Sequence, residues 1–170
     1  HVSDLHFKNV DVSQDIVLSS LLKAIRKIFS KEDKPDLLMI TGDIAFSGKT
    51  KEYEKAEIFI NEILDICKIN KDSLFIIPGN HDVDRSKINR SHRDWWYQFE
   101  TEQQVTDILK SEVSFPIISR TSEQFYEFAK RITNNSIKFE QYGQYVKEVK
   151  LDNCAINLKI VGLNSSIFCG

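Results

Sequence analysis

The sequence predicts an α/β fold in which helices cover a central parallel sheet. Two apolar runs, Leu37–Ile40 and Leu74–Ile77, contain no polar alternation, which is typical of strands that are buried on both faces. Helix-period patterns precede each run, so strand and helix alternate as far as Arg85. This order predicts right-handed crossovers and a sheet whose strands all end at one edge.

The composition is that of one globular domain. Of the 170 residues, 41% are apolar and 28% are charged. The 23 basic and 25 acidic side chains give a net charge of -2, which indicates neither a nucleic-acid nor a membrane partner. No apolar run reaches the ~20 residues that a membrane helix needs. Three isolated cysteines, Cys67, Cys154 and Cys169, argue against a disulfide framework, and we interpret them as buried thiols of a cytoplasmic protein.

Two amphipathic helices are predicted before Pro78. The first begins near Ser13, its predicted N-cap, with Asp15 in the first turn, and the second begins near Thr50. Each buries one face, because its apolar residues recur at helical spacing. These faces are Leu18, Leu21, Leu22, Ile25, Ile28 and Phe29 in the first helix, and Ala56, Phe59, Ile60, Ile63, Leu64 and Cys67 in the second.

The pattern changes after Arg85. Residues 86–141 contain no continuous apolar strand, and the capping box Thr121-x-x-Gln124 predicts a helix whose core face is Phe125, Phe128, Ala129 and Ile132. We interpret 86–141 as a helical cap inserted between a motif-bearing half, 1–85, and a returning segment, 142–170. Alternation predicts strands at 145–151 and 155–163, joined by the turn Asp152-Asn153.

Chemically active side chains follow each predicted strand. Asp4 and His6 follow the first strand, Gly42 and Asp43 the second, and Gly79–Asp82 the third. The carboxyl ends of strands in an open α/β sheet meet at one crevice, where ligands commonly bind. Carboxylate, imidazole and amide oxygen together suit Mn²⁺, Fe or Zn²⁺. A carboxylate such as that of Asp43 can bridge two ions roughly 4 Å apart.

Each motif taken alone has a simpler explanation. Asp4 could cap a turn, and Gly-Asp after a strand is ordinary turn chemistry. In Gly79–Asp82 a turn explains the glycine, the asparagine and the aspartate, but it gives no reason for His81. Because all three motifs occur in this order at strand ends, we favour a single metal site.

The three motifs resemble the first three blocks of the calcineurin-like metallophosphoesterases. The matching segments are 1–7, 41–48 and 77–85, and 161–165 resembles the strand that follows the family's cap. The resemblance implies a layered α/β fold with central sheets flanked by helices, of which 1–170 would be a single, truncated part with a helical cap insertion. It also implies hydrolysis of a phosphoester.

The resemblance implies a role for each matching residue at the metals. Asp4 and His6 would bind the first of two divalent metal ions (Mn, Fe or Zn). Asp43 would bridge both ions, and Asn80 would bind the second. A metal-bridging hydroxide would then attack the phosphorus in line with the leaving oxygen.

His81 and Asp82 are the candidate catalytic residues that the resemblance implies. His81 would stabilise the transition state or protonate the leaving oxygen, and Asp82 or a nearby group would orient it. The family's phosphoprotein phosphatases carry Gly-Asn-His-Glu, whereas the motif here ends in aspartate. This difference favours a bacterial-type phosphodiesterase acting on a small phosphoester or a nucleotide.

The chain also departs from the family pattern. The family completes its site with a further histidine and a Gly-His-x-His block, and neither occurs before Gly170. His1 already lies inside a motif, so we expect the chain to be part of a larger domain, with weak metal binding and little activity of its own. One alternative is a non-catalytic regulatory or binding module that retains the fold. Another is a nuclease-type relative, although the near-neutral charge indicates no DNA-binding surface.

Two features near the third motif have open interpretations. A basic cluster, formed by Arg85, Lys87, Arg90, His92 and Arg93, could steer an anionic substrate or form a solvated helix face. The aromatic stretch Trp95-Trp96-Tyr97 could stack on a base. Packing of the cap against the sheet explains these aromatic residues more simply.

Overall fold

A computed structural model describes residues 1–29, 34–89, 98–151 and 156–169. Within these ranges, helices and strands alternate and then give way to a helical segment and a hairpin, which confirms the α/β class. The elements are α1 (Val12–Ile28), β1 (Leu38–Thr41), α2 (Thr50–Cys67), β2 (Leu74–Ile77), α3 (Glu102–Leu109), α4 (Ser114–Ser119), α5 (Glu123–Ile132), β3 (Tyr145–Leu151) and β4 (Ile156–Gly162).

The parallel sheet is short and buried. β1 pairs with β2 in parallel, from Leu38 opposite Leu74 to Thr41 opposite Ile77. The predicted first strand is present as a parallel bridge between Val2 and Ile40. β1 therefore has a parallel neighbour along each edge, and the segments that follow these strands leave the sheet on the same side.

α1 and α2 lie close to their predicted positions. The N-cap of α1 is Asp11, whose carboxylate accepts a hydrogen bond from the Gln14 amide at 3.1 Å. The prediction of Ser13 as N-cap was wrong, because Ser13 already lies inside the helix. α2 spans the predicted residues, and its buried face includes all six predicted positions together with Tyr53.

α5 belongs to the main hydrophobic core. Its predicted face, Phe125, Phe128, Ala129 and Ile132, is fully buried in the core cluster that also contains the faces of β1, β2 and α2. The predicted capping box does not form: Thr121 donates to the carbonyl of Ile118, and Gln124 accepts a hydrogen bond from Thr50 on α2. Tertiary contacts have replaced the local cap. This part of 86–141 thus packs into the core.

β3 and β4 form an antiparallel hairpin close to the predicted bounds. Their exposed cross-strand pair, Val146 and Val161, alternates with more buried positions. The predicted turn Asp152-Asn153 lies outside the described residues, as does Cys154.

Cys67 and Cys169 are free thiols. Among the residues that the structure describes, none of the helices has the length and apolar character to cross a bilayer.

Candidate metal centre

The three sequence motifs meet at the edge where the parallel strands end. The segment after Val2 runs beside the segment after β1. The amide of Asp4 donates to the carbonyl oxygen of Gly42 at 3.3 Å, and the amide of His6 donates to the carbonyl oxygen of Asp43 at 2.8 Å. The amide of His81, after β2, donates to Asp43 Oδ1 at 2.9 Å. The predicted convergence of the motifs is confirmed.

Gly42 and Gly79 allow two of these loops to touch. A Cβ atom on Gly42 would lie 2.8 Å from the Cα of Gly79. A Cβ atom on Gly79 would lie 2.2 Å from Asp43 Oδ1, and Gly42 also has a φ of +95°. Real Cβ atoms do not approach other atoms so closely. The glycines are therefore required for contact between the loops.

His6 lies near the carboxylates of both Asp4 and Asp43. His6 Nε2 lies 3.8 Å from Asp4 Oδ1 and 3.9 Å from Asp43 Oδ2. Each distance is too long for a hydrogen bond and suits two ligands of one ion at about 2.0–2.2 Å. Asp4 is 67% exposed and lies outside the compact group that His6 and Asp43 form with His81. The described carboxylate and imidazole groups thus fit a divalent metal ion.

Asp43 presents its two oxygens differently. Oδ1 accepts the His81 amide hydrogen, whereas Oδ2 faces His6. The hydrogen bond fixes the carboxylate plane and leaves lone pairs on both oxygens. This geometry is compatible with the bridging position that the resemblance implies.

His81 forms a compact donor cluster with His6 and Asp43. One ligand atom from each of His6, Asp43 and His81 lies within 4.8 Å of the others. His81 Nδ1 is 2.8 Å from the carbonyl oxygen of Phe46. Since a carbonyl can only accept, Nδ1 carries the proton, which leaves Nε2 for a substrate or a metal ion. The His6 and His81 rings meet edge to face, with centroids 4.6 Å apart.

Asp82 is a buried clamp between the loops. Its carboxylate, which has no exposed surface, accepts hydrogen bonds from the amides of Gly79, Ile44 and Ala45 at 2.9–3.2 Å and from the Tyr53 hydroxyl at 3.0 Å. It accepts no hydrogen bond from the His81 ring; the Phe46 carbonyl orients that ring instead. Asp82 thus ties the loops together, and its predicted part in catalysis stays a prediction.

The four groups that donate hydrogen bonds to Asp82 are all uncharged. Burial raises the pKa of Asp82, against the hydrogen bonds from its four donors, which lower it. Burial, followed by the neighbouring Asp82 charge, raises the pKa of Tyr53 well above its ordinary value. Tyr53 consequently remains protonated and donates to Asp82.

Asn80 opens the short 3₁₀ turn Asn80–Asp82 and is exposed. It lies on the same turn as His81, at the edge where the other candidate ligands meet. Its amide makes no side-chain hydrogen bond within the described ranges. Binding of a second metal ion by Asn80 therefore stays a prediction.

Three residues with structural roles at the site were not predicted. Gln14 on α1 donates to the carbonyls of Leu5 and His6 at 3.0 and 2.6 Å and so braces the first motif. Tyr53 holds Asp82, and Phe46 orients His81 through its backbone carbonyl. Gln14 and Tyr53 have no local sequence signal, because their partners are distant in sequence or are backbone atoms.

Asp4, His6 and Asp43 all have left-handed backbones. Their φ angles are 57°, 47° and 53°, a region that costs L-residues roughly 1 kcal/mol or more. Aspartate and histidine are among the non-glycine residues found there most often. All three candidate ligands are therefore held in conformations that the surrounding fold has to maintain.

The basic cluster after the third motif is only partly described. Lys87 forms an ion pair with Glu123 at 2.8 Å, whereas Arg85 is exposed. Arg90, His92 and Arg93 lie outside the described residues, and so does the aromatic stretch Trp95-Trp96-Tyr97. Steering of substrate by the whole cluster stays a prediction.

Known proteins resemble the chain over most of its length. The model of the calcineurin-like phosphoesterases matches residues 1–156. An uncharacterized metallophosphoesterase-like protein, YydB of Bacillus subtilis (strain 168), is 32% identical over 84 residues, 49% of this chain and 17% of that protein. A probable glycerophosphodiester phosphodiesterase, GpdQ of Arcobacter nitrofigilis, is 29% identical over 120 residues, 68% of this chain and 39% of that protein.

The chain spans less than two fifths of the length of either curated relative. No solved structure matches it significantly. The family model covers well over half of the chain and includes the three motifs at 1–7, 41–48 and 77–85, whereas the segment 161–165 lies beyond the match. The chain belongs to the calcineurin-like phosphoesterase family.

Proposed function

We propose that this chain supplies the first ligands of a dinuclear metal centre that hydrolyses a phosphodiester. Asp4 and His6 would hold the first ion, Asp43 would serve as a ligand of both, and Asn80 would serve as a ligand of the second. The observation that carries the proposal is the placement of His6 Nε2 at 3.8 and 3.9 Å from the two carboxylates. Family membership supports phosphoester hydrolysis in general, and the named activity of the Arcobacter relative favours a diester.

The chain's own residues divide the work of hydrolysis. When bound, divalent ions lower the pKa of water and neutralise charge on phosphoryl oxygens. Asp43, whose Oδ1 accepts a hydrogen bond from the His81 amide, would offer carboxylate oxygens to both ions. His81, tied at Nδ1 to the Phe46 carbonyl, holds Nε2 ready to interact with the phosphoryl group or, when this nitrogen is protonated, to give its proton to the leaving oxygen.

The substrate on this proposal is a small phosphoester or a nucleotide. The cytoplasmic location predicted from the cysteine pattern forms part of the same proposal. Mn²⁺, Fe and Zn²⁺ all suit the described carboxylates and imidazoles. Metal analysis of the purified full-length natural protein would identify which ion it carries.

The function is tested with the full-length natural protein and Mn²⁺. We expect bis-(p-nitrophenyl) phosphate to be hydrolysed with a higher kcat/KM than p-nitrophenyl phosphate, and we expect a chelator to abolish turnover. Preference for the monoester would overturn the diester assignment. Metal binding without hydrolysis of either ester would instead support a non-catalytic module.

Two substitutions separate metal binding from catalysis. Asp43→Asn should weaken metal affinity at least about 100-fold, because losing a ligand exceeds the effect of losing an outer partner. His81→Ala should retain the metal stoichiometry and lower kcat by on the order of 10²–10⁴. Asp65→Asn, an exposed carboxylate on α2, is the control. Calorimetric titration of the metal-free protein measures metal affinity, and steady-state kinetics measure kcat. Loss of metal in His81→Ala, or unchanged metal affinity in Asp43→Asn, would contradict these assignments.

A further inference from the structure

A pocket of about 230 Å³ lies beside His81. Phe46 and Val83 form apolar parts of its wall, and Arg85 lines it from the exposed side. His81 belongs both to this pocket and to the donor cluster with His6 and Asp43. The pocket is thus a neighbour of the metal centre, with His81 between them.

Arg85 is the cation of this pocket that has no described counter-ion. Lys49, which also lines the pocket, donates to both Asp84 and Ser86. Arg85 forms no ion pair or hydrogen bond within the ranges that the structure covers. After Asp84 and Lys49 neutralise each other, the described pocket therefore carries one net positive charge.

The charges of Arg85 and Asp43 act on a common neighbour. Burial raises the pKa of the Cys169 thiol, Arg85 lowers it and Asp43 raises it. Both charged groups therefore lie within electrostatic reach of one sulfur atom. This supports a position for Arg85 on the metal-centre side of the molecule.

Phe46 gives the pocket a flat apolar surface. Its side chain is 44% exposed, and its ring lies 5.4 Å from the His81 ring at an interplanar angle of 33°. The Lys8 ammonium lies over the Phe46 ring, 4.9 Å from its centroid, and the part of the ring that remains exposed provides apolar contact area for an organic group. The pocket combines this surface with the cationic end of Arg85.

We propose that this pocket binds the alcohol half of the substrate that leaves, and that this half carries an anionic group which pairs with Arg85. The proposal rests on the proposed function. It narrows the substrate to phosphodiesters whose leaving alcohol is a compact group, about the size of one ring, with a carboxylate or phosphate.

The position of His81 decides which half of the diester occupies the pocket. In hydrolysis, the oxygen of water forms a new bond to phosphorus and loses one proton to solvent, while the bond from phosphorus to the leaving oxygen breaks; His81 regains the proton that it donates from solvent. A proton donated by His81 ends on that leaving oxygen. Since His81 borders the pocket, the group attached to this oxygen extends towards Phe46 and Arg85.

Two matched substrates test the proposal on the full-length natural protein. The methyl phosphate diesters of 4-hydroxybenzoate and 4-hydroxybenzamide have similar shapes and differ by one negative charge on the leaving group. We expect kcat/KM to favour the benzoate diester about fivefold, the scale of a partly exposed ion pair. Arg85→Ala should reduce this ratio to about one, and Arg85→Lys should retain part of it.

Arg131→Ala is the matched control, because Arg131 is an arginine that pairs with Glu57 and does not line the pocket. It should leave the ratio unchanged. An equal loss of kcat/KM for both diesters in Arg85→Ala would place Arg85 on the reacting phosphate and overturn the proposal. Wild-type protein that hydrolyses bis-(p-nitrophenyl) phosphate without preferring the benzoate diester would also overturn it, while leaving the proposed function intact. No hydrolysis of any diester would refute both.

Discussion

Two carboxylates only two residues apart, Asp82 and Asp84, hold neighbouring parts of the site by different physics. Asp82 is surrounded by three backbone amides and a tyrosine hydroxyl, and burial raises its pKa. At Asp84 burial also acts to raise the pKa, but hydrogen bonds from Lys49 and Ser86 outweigh it, so the pKa is lowered. Backbone dipoles hold the first carboxylate, whereas a flexible cation holds the second.

This difference shows how the fold separates rigidity from adaptability. The three amide donors to Asp82 belong to the loops that carry Asp43 and His81, so the carboxylate fixes the distance between those loops. Asp84 pairs instead with the ammonium group of Lys49, at the end of a long side chain that is 46% exposed. We therefore expect damage at Asp82 to reach the metal centre and damage at Asp84 to remain at the rim of the pocket.

Removing the Asp82 carboxylate should have the largest effect. Asp82→Ala leaves three buried amides without an acceptor, and the free energy of unfolding should fall by roughly 3–5 kcal/mol. Metal affinity should fall as well, because the loops lose their common tie. Urea denaturation in the presence of chelator measures the first effect, and calorimetric metal titration measures the second. A loss below about 1 kcal/mol with unchanged metal affinity would show that Asp82 is not the clamp.

Removing only the tyrosine hydroxyl should have an intermediate effect. Tyr53→Phe retains the ring, which stacks on Phe128 at 4.9 Å, and deletes one hydrogen bond to a charged group, worth about 2 kcal/mol. Metal affinity should fall severalfold. Tyr126→Phe is the control, because the Tyr126 hydroxyl binds Asn164 and has no link to Asp82. If both variants change metal affinity equally, the effect does not pass through Asp82.

Neutralising the rim carboxylate should have the smallest effect, and that effect should depend on pH. Because folding lowers the pKa of Asp84, its contribution is present above the ordinary carboxyl pKa of 3.8 and disappears as the pH falls through the lowered value. Asp84→Asn should therefore cost about 1 kcal/mol at pH 7, since Lys49 is half exposed. The difference from wild type should vanish in acid. Urea denaturation of both proteins between pH 2.5 and 7 measures this difference in the free energy of unfolding. A difference that grows as the pH falls would contradict the prediction.

The sequence predicts the sheet and the meeting of the motifs well, because both follow from local patterns. β2, α2 and β3 have the predicted bounds. Continuous apolar runs and helical spacing are strong signals, and strands with parallel neighbours must end at a common edge. The positions of Asp4, His6, Asp43 and His81 at that edge follow from the same rule.

The remaining features depend on contacts that local sequence does not encode. The Thr121 capping box fails because Gln124 binds Thr50 on another helix. Asp82 or a nearby group was expected to orient His81. The Phe46 carbonyl is that group, and Asp82 accepts hydrogen bonds from Gly79 and from three donors distant in sequence. Tyr53 supplies one of these from 29 residues away. Such partners become visible only when the elements are packed together.

The left-handed backbones of Asp4, His6 and Asp43 place these residues in a trade-off between stability and activity. Selection for folding alone would favour glycine at such positions, because glycine adopts positive φ without steric cost. Aspartate and histidine there are retained at the expense of stability. In return, the short turns hold His6 close to both Asp4 and Asp43 only a few residues from a rigid sheet, so little of the chain needs to reorganise when a cation arrives.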